Sequence, residues 1–237
     1  GGKDPSLSLI CFSVKCCETV GVFGGTGSGK STLVNLIPRF YDAASGQVLV
    51  DGMDVKDVSL SSLREKIGVV PQKAVLFKGT LRENMLWGRE DATDEEIYQA
   101  LDIAQAREFV EDKGQGLELP IAQNGRNLSG GQRQRLTIAR ALVREPQILI
   151  LDDSASALDY ATDARLRKAI RENTGDTTVF LVSQRAASVK NADQILVLDD
   201  GQIVDSGTHR DLLNRCQLYR EICLSQLTKE EVERDAQ

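Results

Sequence analysis

The sequence is short of histidine, aromatic residues and long hydrophobic segments, and each shortage excludes a class of protein. It has one histidine in 237 residues, which excludes metal sites built from several histidines and leaves little room for acid–base chemistry by imidazole. Aromatic residues make up 5% and the formal net charge is −6, so we expect no nucleic-acid partner. No apolar run approaches the roughly 18–20 residues that a membrane-spanning helix needs.

The five cysteines form no CxxC pair and are odd in number, so we expect reduced thiols in a cytosolic setting. They are Cys11, Cys16, Cys17, Cys216 and Cys223. The balance of 41% apolar and 27% charged residues is ordinary for a globular protein and excludes collagen-like, coiled-coil and disordered classes. The chain starts at Gly1 with no initiator methionine, and we interpret it as a piece of a longer protein.

Short apolar runs without polar alternation predict strands that are buried on both faces, hence a mostly parallel sheet covered by helices. The runs are Thr19–Phe23, Ile67–Val70, Gln147–Leu151, Thr178–Val182 and Gln194–Leu198. Between them, residues 78–145 show helical periodicity. We therefore predict an α/β core of residues 1–77 and 146–215, an inserted helical subdomain at 78–145, and a C-terminal helical tail at 216–237. Its last residues, 228–237, are expected to be frayed or a solvated helix.

A glycine-rich loop follows the first predicted strand and opens a helix. Residues Gly24–Ser31 fit G-x-x-x-x-G-K-[ST], whose backbone amides and helix N-terminus favour a phosphate. Lys30 would reach the β- and γ-phosphates, and the Ser31 hydroxyl would ligate Mg²⁺. We therefore predict that this loop binds a nucleotide. The candidate nucleotide-binding residues are Gly25, Thr26, Gly27, Ser28, Gly29, Lys30, Ser31 and Thr32.

An apolar strand further along ends in two carboxylates, Asp152 and Asp153. In P-loop ATPases an acid at such a strand end lies beside the phosphates and holds Mg²⁺, and we assign Asp152 that role.

The segment Leu128–Gln132 reads LSGGQ and opens a helix between these two motifs. With this signature the chain resembles the ATPase domain of ABC transporters over residues 5–215. Gln72, in a Val-Pro-Gln context, resembles the Q-loop, and Ser156–Asp159 resembles the D-loop.

The resemblance implies a P-loop NTPase fold with an antiparallel β portion, and a head-to-tail dimer that holds two ATP molecules. Gln72 would act in catalysis and at the metal, with Asp152 and Ser31 as metal ligands. The signature would face the ATP held by the opposite subunit, through Ser129, Gly130, Gly131, Gln132 and the D-loop Asp159. The domain would lie at the cytoplasmic face of the membrane and drive a membrane-spanning partner.

Two catalytic positions depart from the family. The residue after the metal-binding aspartate is usually glutamate, but here it is Asp153, whose carboxylate retracts by about 1.5 Å. The switch histidine is replaced by Gln184, which can donate a hydrogen bond to the γ-phosphate but carries no charge. The signature is intact. We therefore expect weak hydrolysis at this chain's own site and a second, non-identical ATPase domain as partner.

Several smaller expectations complete the interpretation of the sequence. The single histidine, His209, is expected to be a plain surface residue. Four arginines are expected to form a solvated basic helix face: Arg133, Arg135, Arg140 and Arg144. Gln123 stands near the position of an exporter glutamate, Cys16-Cys17 replaces a Pro-Gly turn, and the aromatic residue that stacks on adenine would fall before Gly1.

Two other functions remain open from the sequence. A soluble, non-transport ABC ATPase is one, although only about 100 residues separate the phosphate loop from the signature, which leaves no long coiled coil between them. A regulatory module that binds ATP and hardly turns it over is the other.

Overall fold

The computed structural model describes residues 6–237, so the first five residues of the predicted core 1–77 lie outside the described range. The chain divides into two compact units. One unit contains the residues up to Ile67 together with Thr178–Gln237, and the other contains Gly68–Thr177.

The described residues form ten strands and eleven α-helices. The strands are β1 (Thr19–Gly24), β2 (Leu49–Val50), β3 (Met53–Asp54), β4 (Ile67–Val70), β5 (Gly79–Thr80), β6 (Pro120–Ile121), β7 (Ile148–Asp152), β8 (Thr178–Ser183), β9 (Gln194–Asp199) and β10 (Gln202–Gly207). The helices are α1 (Lys30–Asn35), α2 (Leu60–Glu65), α3 (Leu81–Leu86), α4 (Asp94–Ile103), α5 (Arg107–Asp112), α6 (Gly130–Leu142), α7 (Tyr160–Asn173), α8 (Ala186–Val189), α9 (His209–Arg215), α10 (Gln217–Gln226) and α11 (Lys229–Asp235).

The sheet of the first unit runs in the order β10-β9-β1-β8. β1 is parallel to both of its neighbours, so that Val22 pairs with Val182 on one side and with Leu196 on the other. β10 is antiparallel to β9. Strands with apolar residues in succession are buried on both faces, which is why a parallel arrangement suits them. The predicted α/β class, with a mostly parallel sheet and an antiparallel portion, is confirmed.

The C-terminal helices pack onto this sheet rather than fraying. Val232 in α11 is fully buried in a core that includes Phe23 of β1 and Tyr219 and Cys223 of α10. Thr228 and Glu231 form a reciprocal capping box that starts α11. Of the two expectations for 228–237, fraying is wrong, while a helix does form at Lys229–Asp235 with most of its residues exposed and with Val232 docking it to the core.

His209 is not a surface residue either. It is 8% exposed, and its Nδ1 lies 2.7 Å from the hydroxyl of Tyr219. The capping box of Thr208 and Asp211 starts α9 at this histidine and turns the imidazole toward α10. The surface expectation failed because the partner residue comes from another helix.

The second unit is mainly helical, with β4 and β7 as neighbouring strands. Its core includes fully buried residues of α3, α4 and α6: Leu81, Met85, Ile97, Leu101, Leu136 and Ile138. Capping boxes at Thr80, Thr93 and Ser129 fix where these helices begin. Whether residues 78–145 act as a separate subdomain stays a prediction.

The four arginines of α6 and the residues after it do not form a solvated face. Arg133 donates to the carbonyl of Leu128 at 2.6 Å, Arg140 to that of Val75 at 2.9 Å, and Arg144 to that of Gly88 at 3.3 Å. Arg135 donates to the carbonyl of Gln105. Burial lowers the pKa of Arg140. The expectation was wrong because long arginine stems pack inward and their guanidinium groups cap loop carbonyls.

Among residues 6–237, no helix combines the length and the apolar character that a bilayer crossing requires.

Candidate functional site

The predicted phosphate loop connects the end of β1 to the start of α1. Gly27 and Gly29 have φ of 82° and 96°, in the left-handed region that favours glycine. A Cβ built on Gly24 would lie 2.2 Å from the carbonyl oxygen of Leu198, so the strand end tolerates no side chain there. A Cβ on Gly25 or Gly27 would meet no atom within 4 Å. The loop therefore has one packed side and one open side.

Lys30 is 8% exposed and points back into this loop. Its ammonium donates to the carbonyl oxygens of Gly24, at 2.9 Å, and of Gly25. Ser28 closes the loop by donating from its hydroxyl to the Gly25 carbonyl at 2.9 Å. A positive charge is thus held beside the open space over Gly25, and an anion with several oxygens fits such a cradle.

Ser31 and Thr32 stand in the first turn of α1, where the last two residues of the predicted loop were expected. Ser31 is exposed and Thr32 is half-buried.

The structure brings Gln184 to the phosphate loop. The Thr26 hydroxyl donates to the Gln184 side-chain oxygen at 3.1 Å. Gln184 directly follows β8, whose parallel pairing with β1 places the carboxyl ends of both strands at one edge of the sheet. The amide group of Gln184 keeps its N–H₂ for another acceptor, because the oxygen is the atom that Thr26 engages.

In the second unit, β7 carries the two predicted carboxylates at its end. Asp152 is 9% exposed and forms the last residue of the strand. Asp153 has φ of 45°, in the left-handed region that aspartate enters more readily than most residues. The side-chain amide of Gln72 donates to Asp153 Oδ2 at 3.0 Å. The structure therefore brings together two of the three predicted catalytic residues.

The signature segment forms the N-terminus of α6, a helix of 13 residues. The Ser129 hydroxyl accepts from the backbone amide of Gln132 at 3.2 Å, and the Gln132 side chain accepts from the amide of Ser129 at 3.0 Å. Ser129 and Gly130 are exposed, and Gly131 is half-buried. The helix end thus presents a hydroxyl and backbone to solvent, an arrangement that suits an anion.

Asp159 lies at the start of α7 and caps that helix. Its carboxylate accepts from the Thr162 amide at 2.9 Å, and this hydrogen bond lowers the pKa of Asp159. Capping requires no nucleotide, so the role of Asp159 at a partner's ATP stays a prediction.

The sequence did not predict two contacts of these segments. One is the bond between Thr26 and Gln184, since 158 residues separate them. The other is the bond of Arg133 to Leu128, the first residue of the signature. A basic residue one turn into a helix is the only signal for the second contact, and it also fits a solvated face.

Among the described residues, no group of three or more His, Cys, Asp or Glu side chains is placed to hold a metal ion. The predicted metal ligands include only one residue of those four types. They are the Ser31 hydroxyl, the Gln72 amide oxygen and the Asp152 carboxylate. These are hard oxygen donors, and Mg²⁺ takes such donors in ones and twos together with substrate phosphates. Each of these donors, taken by itself, is compatible with magnesium bound together with a nucleotide.

The family match covers the segments that carry the phosphate loop, the signature and the acidic end of β7. Residues 7–156 match the family model for "ABC transporter". YfiB, an ABC transporter ATP-binding protein of Bacillus subtilis, is 46% identical over 95% of this chain and 39% of its own length. A Staphylococcus aureus protein named for multidrug export, an ATP-binding/permease protein, is 44% identical over 92% of this chain and 38% of its own length.

Among solved structures, a bacterial Atm1-family ABC exporter with ATP bound superposes with a TM-score of 0.92 at 37% identity. The match covers 96% of this chain and 41% of the exporter chain, and it confirms the predicted P-loop NTPase fold. The chain therefore spans about two fifths of the length of the proteins it matches.

Proposed function

Because this chain is an ATP-binding domain of the ABC transporter family, we propose that it is the motor domain of an exporter at the cytoplasmic face of a membrane. The observation that carries this proposal is a phosphate loop with a buried Lys30 together with an exposed signature helix end. The permease named in the Staphylococcus aureus relative supports a membrane-spanning partner.

ATP is held by the loop residues Gly25–Thr32, with the ammonium of Lys30 directed at the phosphates. Ser31, Gln72 and Asp152 would hold Mg²⁺, which would neutralise phosphate charge when bound. In this role Lys30 exchanges the carbonyl oxygens of Gly24 and Gly25 for phosphate oxygens. That exchange favours binding, because an ionised acceptor forms a stronger hydrogen bond than a neutral carbonyl.

The domain acts in a dimer in which ATP on one subunit meets the signature of the other. Ser129 supplies its hydroxyl, Gly130 and Gly131 supply open backbone, and the end of α6 supplies partial positive charge. ATP binding thereby closes the dimer, and hydrolysis loosens it, which drives the attached membrane domain between states.

Hydrolysis at this chain's own site is weak. Asp153 is one methylene shorter than glutamate, and a misplacement of about 1 Å costs on the order of 10²-fold in rate. Its carboxylate is also engaged by Gln72. Gln184 holds a hydrogen bond to Thr26 but supplies neither charge nor a proton. A second, non-identical ATPase domain with glutamate and histidine at these positions then performs most of the turnover, with this chain's signature completing its site.

The test replaces both positions at once. We expect Asp153→Glu with Gln184→His to raise the steady-state ATPase rate of the isolated chain by at least tenfold. The glutamate extends the carboxylate by one methylene, and the histidine can carry a charge and a proton. Lys30→Ala in the same background is the matched control and should abolish the gain, because it removes the phosphate-binding charge. If the double variant is no faster than the wild type, the weak site is not due to these residues.

The regulatory module is the second candidate, because the Gln72–Asp153 bond occupies a carboxylate that a working base would need. Mixing the chain with a candidate partner domain separates the two functions. The exporter motor predicts ATPase activity that appears in the mixture and falls when Ser129 is replaced by alanine. A regulatory module predicts activity that is independent of Ser129.

A further inference from the structure

The C-terminal helix α10 ends against the segment that carries Gln184. The side-chain amide of Gln226, the last residue of α10, donates to the Gln184 backbone carbonyl at 2.8 Å. The oxygen of the same amide accepts from the Ala186 backbone amide at 2.8 Å. One side chain therefore bonds both sides of the peptide segment that follows β8.

We call the two hydrogen bonds of Gln226 the Gln226 clamp. The clamp provides a hydrogen-bond acceptor at the start of α8, where the N-cap residue provides none from its side chain. α8 begins at Ala186 after Arg185, whose side chain makes no capping hydrogen bond. The first amides of a helix have no partner within the helix, so side chains or water must satisfy them. Gln226 does so for Ala186, and Ser183 does so for the Arg185 amide at 3.0 Å. The backbone around Gln184 is thus fixed at both of its following peptide groups.

The helix that provides Gln226 is itself anchored below the phosphate loop. Tyr219 and Cys223, one turn apart on α10, are fully buried, and the Tyr219 ring lies 5.0 Å from that of Phe23. Phe23 is the next-to-last residue of β1, directly before the loop begins. A continuous set of contacts therefore runs from β1 through α10 to Gln226.

We infer that Gln226 is a positioning residue that holds the switch segment 184–186 so that the Gln184 side chain faces the phosphate loop. The inference rests on the proposed function, in which the Gln184 amide donates to a γ-phosphate. The direct bond from Thr26 to the Gln184 oxygen leaves the N–H₂ group as the available donor. Gln226 acts on the backbone alone, and Thr26 orients the side chain.

The test compares nucleotides that differ in the γ-phosphate. Affinities of the 237-residue chain for ADP and for β,γ-imido-ATP are measured with Mg²⁺ by titration calorimetry. Gln226→Met keeps the apolar stem and removes both hydrogen bonds. We expect it to weaken binding of the triphosphate by about two- to tenfold, the value of one positioned hydrogen bond, and to leave ADP binding unchanged.

Two reference variants separate the causes. Ser225→Ala alters the neighbouring exposed residue of α10 and should change neither affinity. Gln184→Ala should reduce the triphosphate preference by itself, and adding Gln226→Met to it should have no further effect. If Gln184→Ala shifts the preference but Gln226→Met does not, the positioning role is wrong. If Gln184→Ala has no effect, the proposed role of Gln184 in γ-phosphate binding is wrong instead.

Hydrogen exchange tests the clamp without any nucleotide. Loss of the Gln226 acceptor should speed exchange of the Ala186 amide by about two- to tenfold, because that amide then lacks its partner. The amides of β1 should keep their protection. An unchanged Ala186 rate in Gln226→Met overturns the positioning role, whatever Gln184 does for the nucleotide.

Discussion

A single buried hydroxyl ties the C-terminal helices together, and its removal should be costly. The Tyr219 hydroxyl lies 2.7 Å from His209 Nδ1, and Tyr219 is fully buried. Burial raises the pKa of Tyr219, so the phenol stays protonated. His209 Nε2 lies 3.5 Å from Asp235 Oδ2, which favours the tautomer with its proton on Nε2. The phenol then donates to Nδ1.

Tyr219→Phe keeps the aromatic ring, including its edge contact with Phe23, and deletes only this donor. It leaves His209 Nδ1 buried without its partner, and such a loss costs about 1–3 kcal/mol of unfolding free energy. For a chain of this size that corresponds to a fall in Tm of about 2–4 °C per kcal/mol.

Urea denaturation followed by circular dichroism measures the change as a lower midpoint with an unchanged slope. Tyr41→Phe is the matched control, because Tyr41 is 63% exposed, and it should stay within about 0.5 kcal/mol of the wild type. A Tyr219→Phe midpoint equal to that of the control would show that the hydroxyl does not hold His209, and the reasoning about this core would fail.

Two further predictions concern the same helices. Burial lowers the pKa of His209 below its ordinary 6.5, although the nearby carboxylate of Asp235, 3.5 Å from Nε2, opposes the shift. The unfolded chain therefore takes up the proton first, so the unfolding free energy should be constant above about pH 6.5 and fall as the pH drops toward the folded-state pKa. His209→Gln should flatten that step in urea titrations between pH 5 and 7, since the sequence has no other histidine. Val232→Ala removes two methyl groups from a fully buried side chain. At about 0.8 kcal/mol for each it should cost about 2 kcal/mol and increase proteolysis after residue 226, whereas Val204→Ala, an exposed site, should do neither.

The sequence was informative wherever the chemistry is local. The phosphate loop, the acidic end of β7 and the signature each consist of a few adjacent residues. Each motif therefore lies on one local element, which the sequence pattern alone predicts. The strand bounds were close for the same reason: Thr178–Val182 became Thr178–Ser183 and Ile67–Val70 was unchanged. Periodicity and turn residues fix such elements without tertiary information.

The errors lie where a side chain is buried by another element. His209 looked like a surface residue because its turn is polar, yet its environment is set by α10 and α11. The arginines of α6 looked solvated because charge alone was considered, but their guanidinium groups bond loop carbonyls, and that of Arg135 also lies 4.8 Å over the Phe109 ring. No local pattern reports which loop carbonyl a guanidinium will reach, since that depends on how the elements pack.

Gln184 and Asp153, the two residues that depart from the family, both have hydrogen-bonded side chains in this structure. Gln184 is engaged by Thr26, and Asp153 is engaged by Gln72. Each of these bonds uses a neutral donor, a hydroxyl or an amide, and neither donor supplies a mobile proton. A histidine in place of Gln184 would supply that proton, and a glutamate in place of Asp153 would extend the carboxylate beyond the position that Gln72 now bonds. In the proposed motor domain, higher turnover therefore requires new side chains and also the loss of the bonds to Thr26 and Gln72, which is why both positions are changed together in the proposed test.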